Sequence, residues 1–524
     1  MSSRNQEPDA GDSIGAPVVD ADIAGLQQAM AAGRLTAADI LDHTLARIAA
    51  LDQAGPCVCS VIELNPAAGE IAALCDAERA GGLIRGPLHG IPVLLKDNID
   101  TADAMHTTAG SLALLTSRPP EDATVAARLK AAGAVIIGKA NMSEWANFRS
   151  TRSVSGWSAR GGQCRNPHVL DRSPCGSSSG SAAAVAAALC VVALGSETDG
   201  SIVCPSGVNG VVGIKPTVGL TSRAGVIPIA HSQDTIGPHA RSVADAAVVL
   251  NIIAGPDPRD PATVAAPLID YTRFLDRDGL RGARIGVARE RFFGRHPATD
   301  LLIEAAIADM RQAGATIIDP ANIATAQAMA DDDGELTVLL YEFRHDIAAY
   351  LATRVAETPD AYVPRTLADL IDFNRRHAAH ELPFFGQELF EQAVACGDLS
   401  DALYTSALAR NRRLARTEGI DAVLDRHQLD ALVAPTTAPA WPIDPIHGDR
   451  SVGSSSGPAA LAGYPLITVP AGMIHGLPVG LTFMGRAWSE PLLIRLAYAY
   501  EQATQHRARP RFHPSVLQLN TPTP

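Results

Sequence analysis

An α/β body, a sheet flanked by helices, is the fold class that this sequence predicts. Two observations carry that expectation. Short apolar runs of strand length alternate with helical stretches, and several helices start and stop on recognisable capping signals. A third, the lack of any fixed-period repeat, sets aside solenoids and propellers.

The elements follow in chain order. Residues 1–16 are polar and acidic and are expected to form a flexible tail. Thr36 opens T-A-A-D, a capping box, and Ile40, Leu41, Leu45, Ile48 and Leu51 then mark one helical face. Ile91–Leu95 is a short apolar strand running into Lys96. Ala123–Ala132 reads as a helix closed by Gly133, with Ala134–Ile137 as the next strand. The Ala-rich run from Ala182 makes a further helix. Ser242 to Asp245 is another capping box, whose helix stops at Gly255-Pro256. Later strands are expected at Arg284–Ala288, Ala431–Ala434, Leu466–Val469 and Val479–Phe483. The Pro-rich stretch Pro435–Pro445 is a loop and not a domain linker, because strands resume beyond it. Residues 516–524 are taken as a C-terminal tail.

Composition narrows the function. With 47% hydrophobic and 19% charged residues in 524, the chain suits a compact enzyme with a large core and not a disordered scaffold. Forty-three basic against 56 acidic residues give a formal charge of −13 without a basic stripe, which argues against nucleic-acid binding. The longest apolar run, Ala182 to Leu194, is shorter than the roughly 20 residues of a membrane span, so no membrane partner is expected. The N-terminus lacks the basic and apolar regions of a secretory signal. A cytoplasmic protein is expected, or a periplasmic or secreted one if a leader was removed before this sequence begins. Eight cysteines in so long a chain do not make a disulfide framework. Cys57 and Cys59 form a lone C-x-C, and Cys164, Cys175, Cys190 and Cys204 lack CxxC pairing, so small buried hydrophobes are the expectation and no metal ligation is expected.

The informative region runs from Lys96 to Pro216. SPCGSSSGS, Ser173 to Ser181, abuts the Ala-rich helix, so small residues precede a helix whose first N–H groups point back into the loop. A phosphate cradle is one reading, but the Walker ending and G-x-G-x-x-G are both missing. Gly176-Ser177-Ser178-Ser179-Gly180 satisfies G-x-S-x-G, the nucleophile elbow, with Ser178 central. That elbow should leave a strand, whereas Pro167–Pro174 reads as loop. The third reading adds Ser201, beside Gly200 in GSETDGSIVCPSGVNGVVGIKPT.

With GPLHGIPVLLKDNI around Lys96, these motifs strongly resemble the amidase signature family. The likeness extends through SEWANF, SGWSARGGQCRNP, SQDTIGP, ALVAPTTAPAWP and MGRAWSEP, from about Asp22 to about Gln505, and is greatest to bacterial peptide amidases. Cys175 and Ser179 stand at two glycine positions of the wider family, Asp199 where many members have the first Gly of T-G-G-S, and Val203 where many have Arg. These departures point away from the tRNA-dependent amidotransferases and their ammonia-channelling partner.

The resemblance implies a single domain over 17–515, with a large mixed sheet flanked by helices on both faces. It also implies a catalytic triad. Lys96 corresponds to the family's catalytic lysine, Ser177 to its bridging serine after a cis peptide bond, and Ser201 to the acylated nucleophile. Backbone N–H groups of Thr198, Asp199, Gly200 and Ser201 would hold the oxyanion. The implied activity is metal-independent and cofactor-free hydrolysis of a peptide's C-terminal amide to acid and ammonia, with no obligatory partner subunit. The alternative is a broader amidase, aryl acylamidase or urethanase acting on small or synthetic amides and carbamates. The residue types make chemical sense: a serine needs a neighbouring base, and burial lowers a lysine from about 10.4 so that it can be one. The apolar run before Lys96 suits such burial.

Other constellations read as structural. His377 and His380 with Glu381 are not H-E-x-x-H, and a polar helix face is the expectation. Trp145, Phe148, Trp157 and Trp441 are candidates for an apolar pocket or for core. Tyr341, Phe343 and Trp441 are candidate groove residues within or near the variable stretch 256–428.

Overall fold

The computed structural model describes residues 18–518. The expected tail 1–16 and residues 519–524 of the C-terminal one lie outside the described residues. Val516–Gln518 form a 3-10 turn, with Val516 packed against Val169, Val208 and Trp441.

Eleven strands form one sheet: β1 Val61–Leu64, β2 Pro92–Lys96, β3 Val135–Ala140, β4 Val192–Glu197, β5 Val212–Lys215, β6 Thr235–Ala240, β7 Arg284–Val287, β8 Thr316–Ile318, β9 Ala431–Pro435, β10 Leu466–Ile474 and β11 Leu477–Met484. Across the sheet the order is β1-β3-β2-β4-β6-β5-β10-β11-β9-β7-β8. The sheet is mixed. β2 runs parallel to both β3 and β4, and β7 parallel to β8 and β9, while the remaining pairs are antiparallel. Strands β2, β3, β6, β9 and β11 are buried along their whole length, as expected of a sheet covered by helices on both faces.

The signals at the helix ends explain where the helices start. Helix α1 (Ala37–Arg47) carries the full capping box: Thr36 Oγ1 accepts from Asp39 N–H, and the Asp39 carboxylate accepts from Thr36 N–H. Helix α2 (Thr124–Ala131) precedes β3 as expected, and α3 (Ser179–Ala186) is the Ala-rich helix, buried on every side. Helix α4 (Val203–Asn209) follows β4. At helix α5 (Val243–Ile253) the expected box is only half formed. Ser242 Oγ caps Asp245 N–H, but the Asp245 carboxylate turns to Ile23 N–H, 3.0 Å away, and ties the start of the described chain to this helix. Helices α6 (Gly334–Thr353) and α7 (Ala402–Ala415) are the longest part of the stretch between β8 and β9.

One hydrophobic core runs from Val18 and Ile23 through β2, β3, β4, β6 and β7 to Leu496 and Tyr500. The sheet places the site by its pairing. Because β2 and β4 are parallel neighbours, with Leu95 opposite Leu194, their C-terminal ends emerge at the same sheet edge. That edge carries Lys96 and the loop after Glu197. Ligand sites of open α/β sheets lie at such edges.

Candidate active site

Lys96 is the last residue of β2 and is fully buried. Its Nζ lies 2.8 Å from Ser177 Oγ, 2.9 Å from Ser196 Oγ and 3.1 Å from the Ser196 carbonyl. Burial pushes the ammonium pKa down to about 7, against the opposing pull of the Asp234 and Glu197 carboxylates. Ser177 follows a cis peptide bond from Gly176, and its carbonyl accepts from Ser143 N–H.

Ser201 sits in the turn between β4 and α4. Its carbonyl accepts from Ser178 N–H at 3.2 Å, which fastens the two serine-bearing loops together. Its hydroxyl is hydrogen-bonded to nothing among the described residues, and the residue keeps 8% exposure. Gly200 turns the backbone here with φ +78°, a conformation that favours glycine. Glu197 organises the loop from below. Its buried carboxylate accepts from the N–H groups of Gly200, Ile202 and Val203 at 2.7–2.9 Å. The Gly200 N–H, one of the four expected oxyanion donors, is therefore engaged inside the loop.

Thr198 donates its hydroxyl to Asp234, whose other carboxylate oxygen accepts from Ile229 and Ala230 N–H. Burial raises Asp234 to about 6, with those hydrogen bonds acting the other way. Asp199 faces solvent from a recess. The surrounding protein raises its carboxyl, opposed by a Ser456 hydrogen bond and by Lys215. Glu335, raised by burial and by the Asp199 charge, accepts from Gln233 nearby.

Ser178 does not behave as an elbow nucleophile. It is fully buried, and its Oγ donates to the Ser196 carbonyl while accepting from Ser196 N–H. The imidazole beside it, His239, is turned by Ser206 and not by a carboxylate: Nδ1 lies 2.8 Å from Ser206 Oγ, and burial holds its pKa down to about 3. A Ser-His-acid triad centred on Ser178 is absent among the described residues.

A cavity of about 330 Å³ opens beside Ser177, Ser196 and Thr198. Its walls are largely apolar, from Ala146, Val226, Ile227, Ile229 and Tyr350. The charged Arg223 at its edge is clamped by both oxygens of Asp260. The expected pocket residues are placed elsewhere. Trp145 is core, edge-on to Phe390, and Phe148 and Phe343 pack on each other beside it. Tyr341 stacks on Tyr404 and donates to Asp401, away from the cavity. Trp441 donates to Asp449 and packs on Cys175 and Cys204, which lie next to the two serine loops, but it does not line this cavity. Trp157 contacts Phe384 and Phe385. An aromatic residue buries its ring equally well in core or in pocket, so sequence offered no means to separate them. Ser196, Asn98 and Asp234 were missed because each acts through a partner distant in the chain, and Glu197 because its partners are backbone N–H groups that only the folded turn after it brings together.

Two clusters have metal-ligating types within reach of one another, Cys75–Glu78–His89 and His231–Glu342–Asp346. Both already have protein partners. Glu78 pairs with Arg85, and the His231 ring lies between Asp346 and Glu342. His377 and His380 are exposed, while Glu381 is buried and accepts from Ser111 and Leu112.

Comparison with known proteins bears on this geometry. The family model described as Amidase matches residues 39–494. The structure of native peptide amidase from Stenotrophomonas maltophilia is 55% identical, with a TM-score of 0.90, covering 95% of this chain and 99% of that one. An Arabidopsis thaliana protein named a probable amidase is 42% identical over 506 residues, 94% of this chain and 92% of its own length. A glutamyl-tRNA(Gln) amidotransferase chain of Chloroflexus aurantiacus is 37% identical over 500 residues, 93% of this chain and 98% of its own length.

Proposed function

The chain belongs to the amidase family, hydrolases of amide C–N bonds, and on that footing we propose that it removes the C-terminal amide of peptides through Lys96, Ser177 and Ser201. The observation that carries this reading is the fully buried Lys96 amine 2.8 Å from Ser177 Oγ, on a loop tied directly to Ser201. Neutral Lys96 takes the Ser177 proton as Ser177 takes that of Ser201, and the Ser201 oxygen attacks the carboxamide carbon. The tetrahedral oxyanion is held by backbone N–H groups of the loop. With the Gly200 N–H engaged by Glu197, that work falls to Thr198, Asp199 and Ser201. The proton returns through Ser177 to the leaving nitrogen, ammonia departs, and water then frees the acid from Ser201.

The peptide substrate is supported by the 55% identity to a peptide amidase over nearly the whole chain and by the apolar cavity beside Ser177. An uncharged, apolar residue ahead of the carboxamide suits walls whose two arginines are each paired with a carboxylate, Arg223 with Asp260 and Arg259 with Glu121. We read the enzyme as acting without an obligatory partner subunit. No helix among the described residues is long and apolar enough to cross a membrane.

The test compares a peptide carboxamide, the same peptide with only internal bonds, and an acyl-nitroanilide, following ammonia and peptide acid by mass spectrometry. Release of ammonia with internal bonds untouched is the expected result. Rapid anilide cleavage with an intact peptide amide would replace the peptide substrate by an aryl amide and leave the serines in place.

A further inference from the structure

A second cavity, of about 590 Å³, lies next to the first and shares Arg223 and His231 with it. Its far wall is formed by Arg412 of α7 and Arg416, one helical turn apart, facing Tyr464 and Trp488. The charges on this helix are sorted by direction. Arg410 pairs with Asp332 at 2.6 Å and Arg413 with Glu418 at 2.7 Å. Arg412 and Arg416, the two that face the cavity, form no ion pair among the described residues.

The other groups around the cavity do not supply the missing charge. Asp260 is taken by Arg223, Asp346 pairs with His231, and Glu342 accepts from Ser232 N–H and Tyr404 OH. Asp421 is the carboxylate nearest in influence to Arg416, but it accepts from Tyr464 OH. Arg416 is half-buried, with Nε donating to the Ala462 carbonyl and its guanidinium 5.6 Å from the Tyr464 ring centroid. Burial and the neighbouring Arg412 both work against its charge. Two like charges one turn apart repel, and one of them is partly desolvated. In a chain of net charge −13, with acids abundant, such a pair lining one cavity stands out.

We propose that this cavity binds the carboxylate of a small organic acid with an apolar body. The carboxylate lies between Arg412 and Arg416, a donor geometry suited to a planar anion, and the apolar body lies on Trp488 and Tyr464. The site is independent of the amidase reading, because binding is measured without turnover.

Isothermal titration of the intact protein with phenylacetate tests it, with 2-phenylethanol as the uncharged counterpart and inorganic phosphate as a bare oxyanion. Phenylacetate should bind saturably and about tenfold more weakly to Arg412→Gln, as for the loss of one charge-assisted hydrogen bond. Arg412 is exposed, so this variant should melt with the wild type. Arg416→Gln should weaken binding as well, and Arg412→Lys should restore part of it. The alcohol should show no dependence on either arginine. Phenylacetate binding that is unchanged in Arg412→Gln and Arg416→Gln would place the acid elsewhere and overturn the proposal. So would phosphate binding with no response to phenylacetate.

Discussion

At Lys96 the same burial that brings the amine to about 7 makes activity depend on pH with a definite sign. A protonated lysine cannot accept the Ser177 proton, so kcat/KM should climb as pH rises through about 7 and fall away in acid. A profile flat from mildly acid to mildly alkaline pH would remove Lys96 as the base. Lys96→Ala should lower turnover by about 10²–10⁴-fold, the usual contribution of a positioned base. Lys96→Arg should not rescue it, since a guanidinium keeps its proton. Asp234 makes the profile adjustable. Its negative charge holds the lysine pKa up, so Asp234→Asn should move the acid limb to lower pH, read from the same rate profile. Ser201→Ala should abolish ammonia release in a protein that melts normally, whereas Ser178→Ala should keep substantial activity. The serines and Lys96 could be singled out in the sequence because their motifs together resemble those of the amidase signature family; taken singly, a lysine ending a strand and serines among glycines read as ordinary strand-end and turn residues. Glu197, Asp234 and Ser196 could not, because their partners are supplied by the loop after Gly200, by Thr198 with the Ile229–Ala230 turn, and by β2.

Among the elements, the loop between β4 and α4 depends most on a single side chain. Glu197→Ala would leave the buried N–H groups of Gly200, Ile202 and Val203 without acceptors, at about 1–3 kcal/mol for each group left unsatisfied. Thermal melting should register a large drop, and turnover should fall with it because Ser201 lies inside that loop. Thr36→Ala is a contrasting case. Losing the cap of α1 should cost about 1 kcal/mol in melting experiments and leave kcat unaltered, since Thr36 is exposed and its side chain bonds only within its own capping box. The capping box at Thr36 and strands β2, β3, β7, β9, β10 and β11 were legible because their signals are local. Other strands were not. β6 reads T-I-G-P-H-A, where Gly, Pro and His interrupt any strand signature, and only its neighbours β4 and β5 make it one. β4 follows the Ala-rich helix within a single apolar run that hides the boundary. β1 is a half-buried edge strand carrying a glutamate. At α5, the pattern S-x-x-D forecast the Ser242 cap but not the diversion of Asp245 to Ile23, which requires the N-terminal segment to be in place.

For the molecule as a whole, the sheet divides into two blocks that are each continuous in sequence. The first six strands span residues 61–240, and the other five span 284–484. Within the sheet they meet only where β5 pairs with β10, through Lys215–Leu466, Ile214–Ile467 and Gly213–Thr468. The core nevertheless crosses that boundary without a break. We therefore expect limited proteolysis to yield no independently folded half, and thermal unfolding to show one transition. Two protease-resistant fragments separable in native buffer would contradict this. The β5–β10 boundary also has a consequence for synthesis on the ribosome. Wherever β5 pairs with β6 before β10 has been made, its other side presents a bare row of N–H and C=O groups. β10 follows roughly 250 residues later, about 10–50 s at ordinary translation rates. For that interval the nascent chain carries an open sheet edge, the surface most prone to pair with another molecule. Its yield in a host should therefore respond to translation speed and to chaperones that shield such edges.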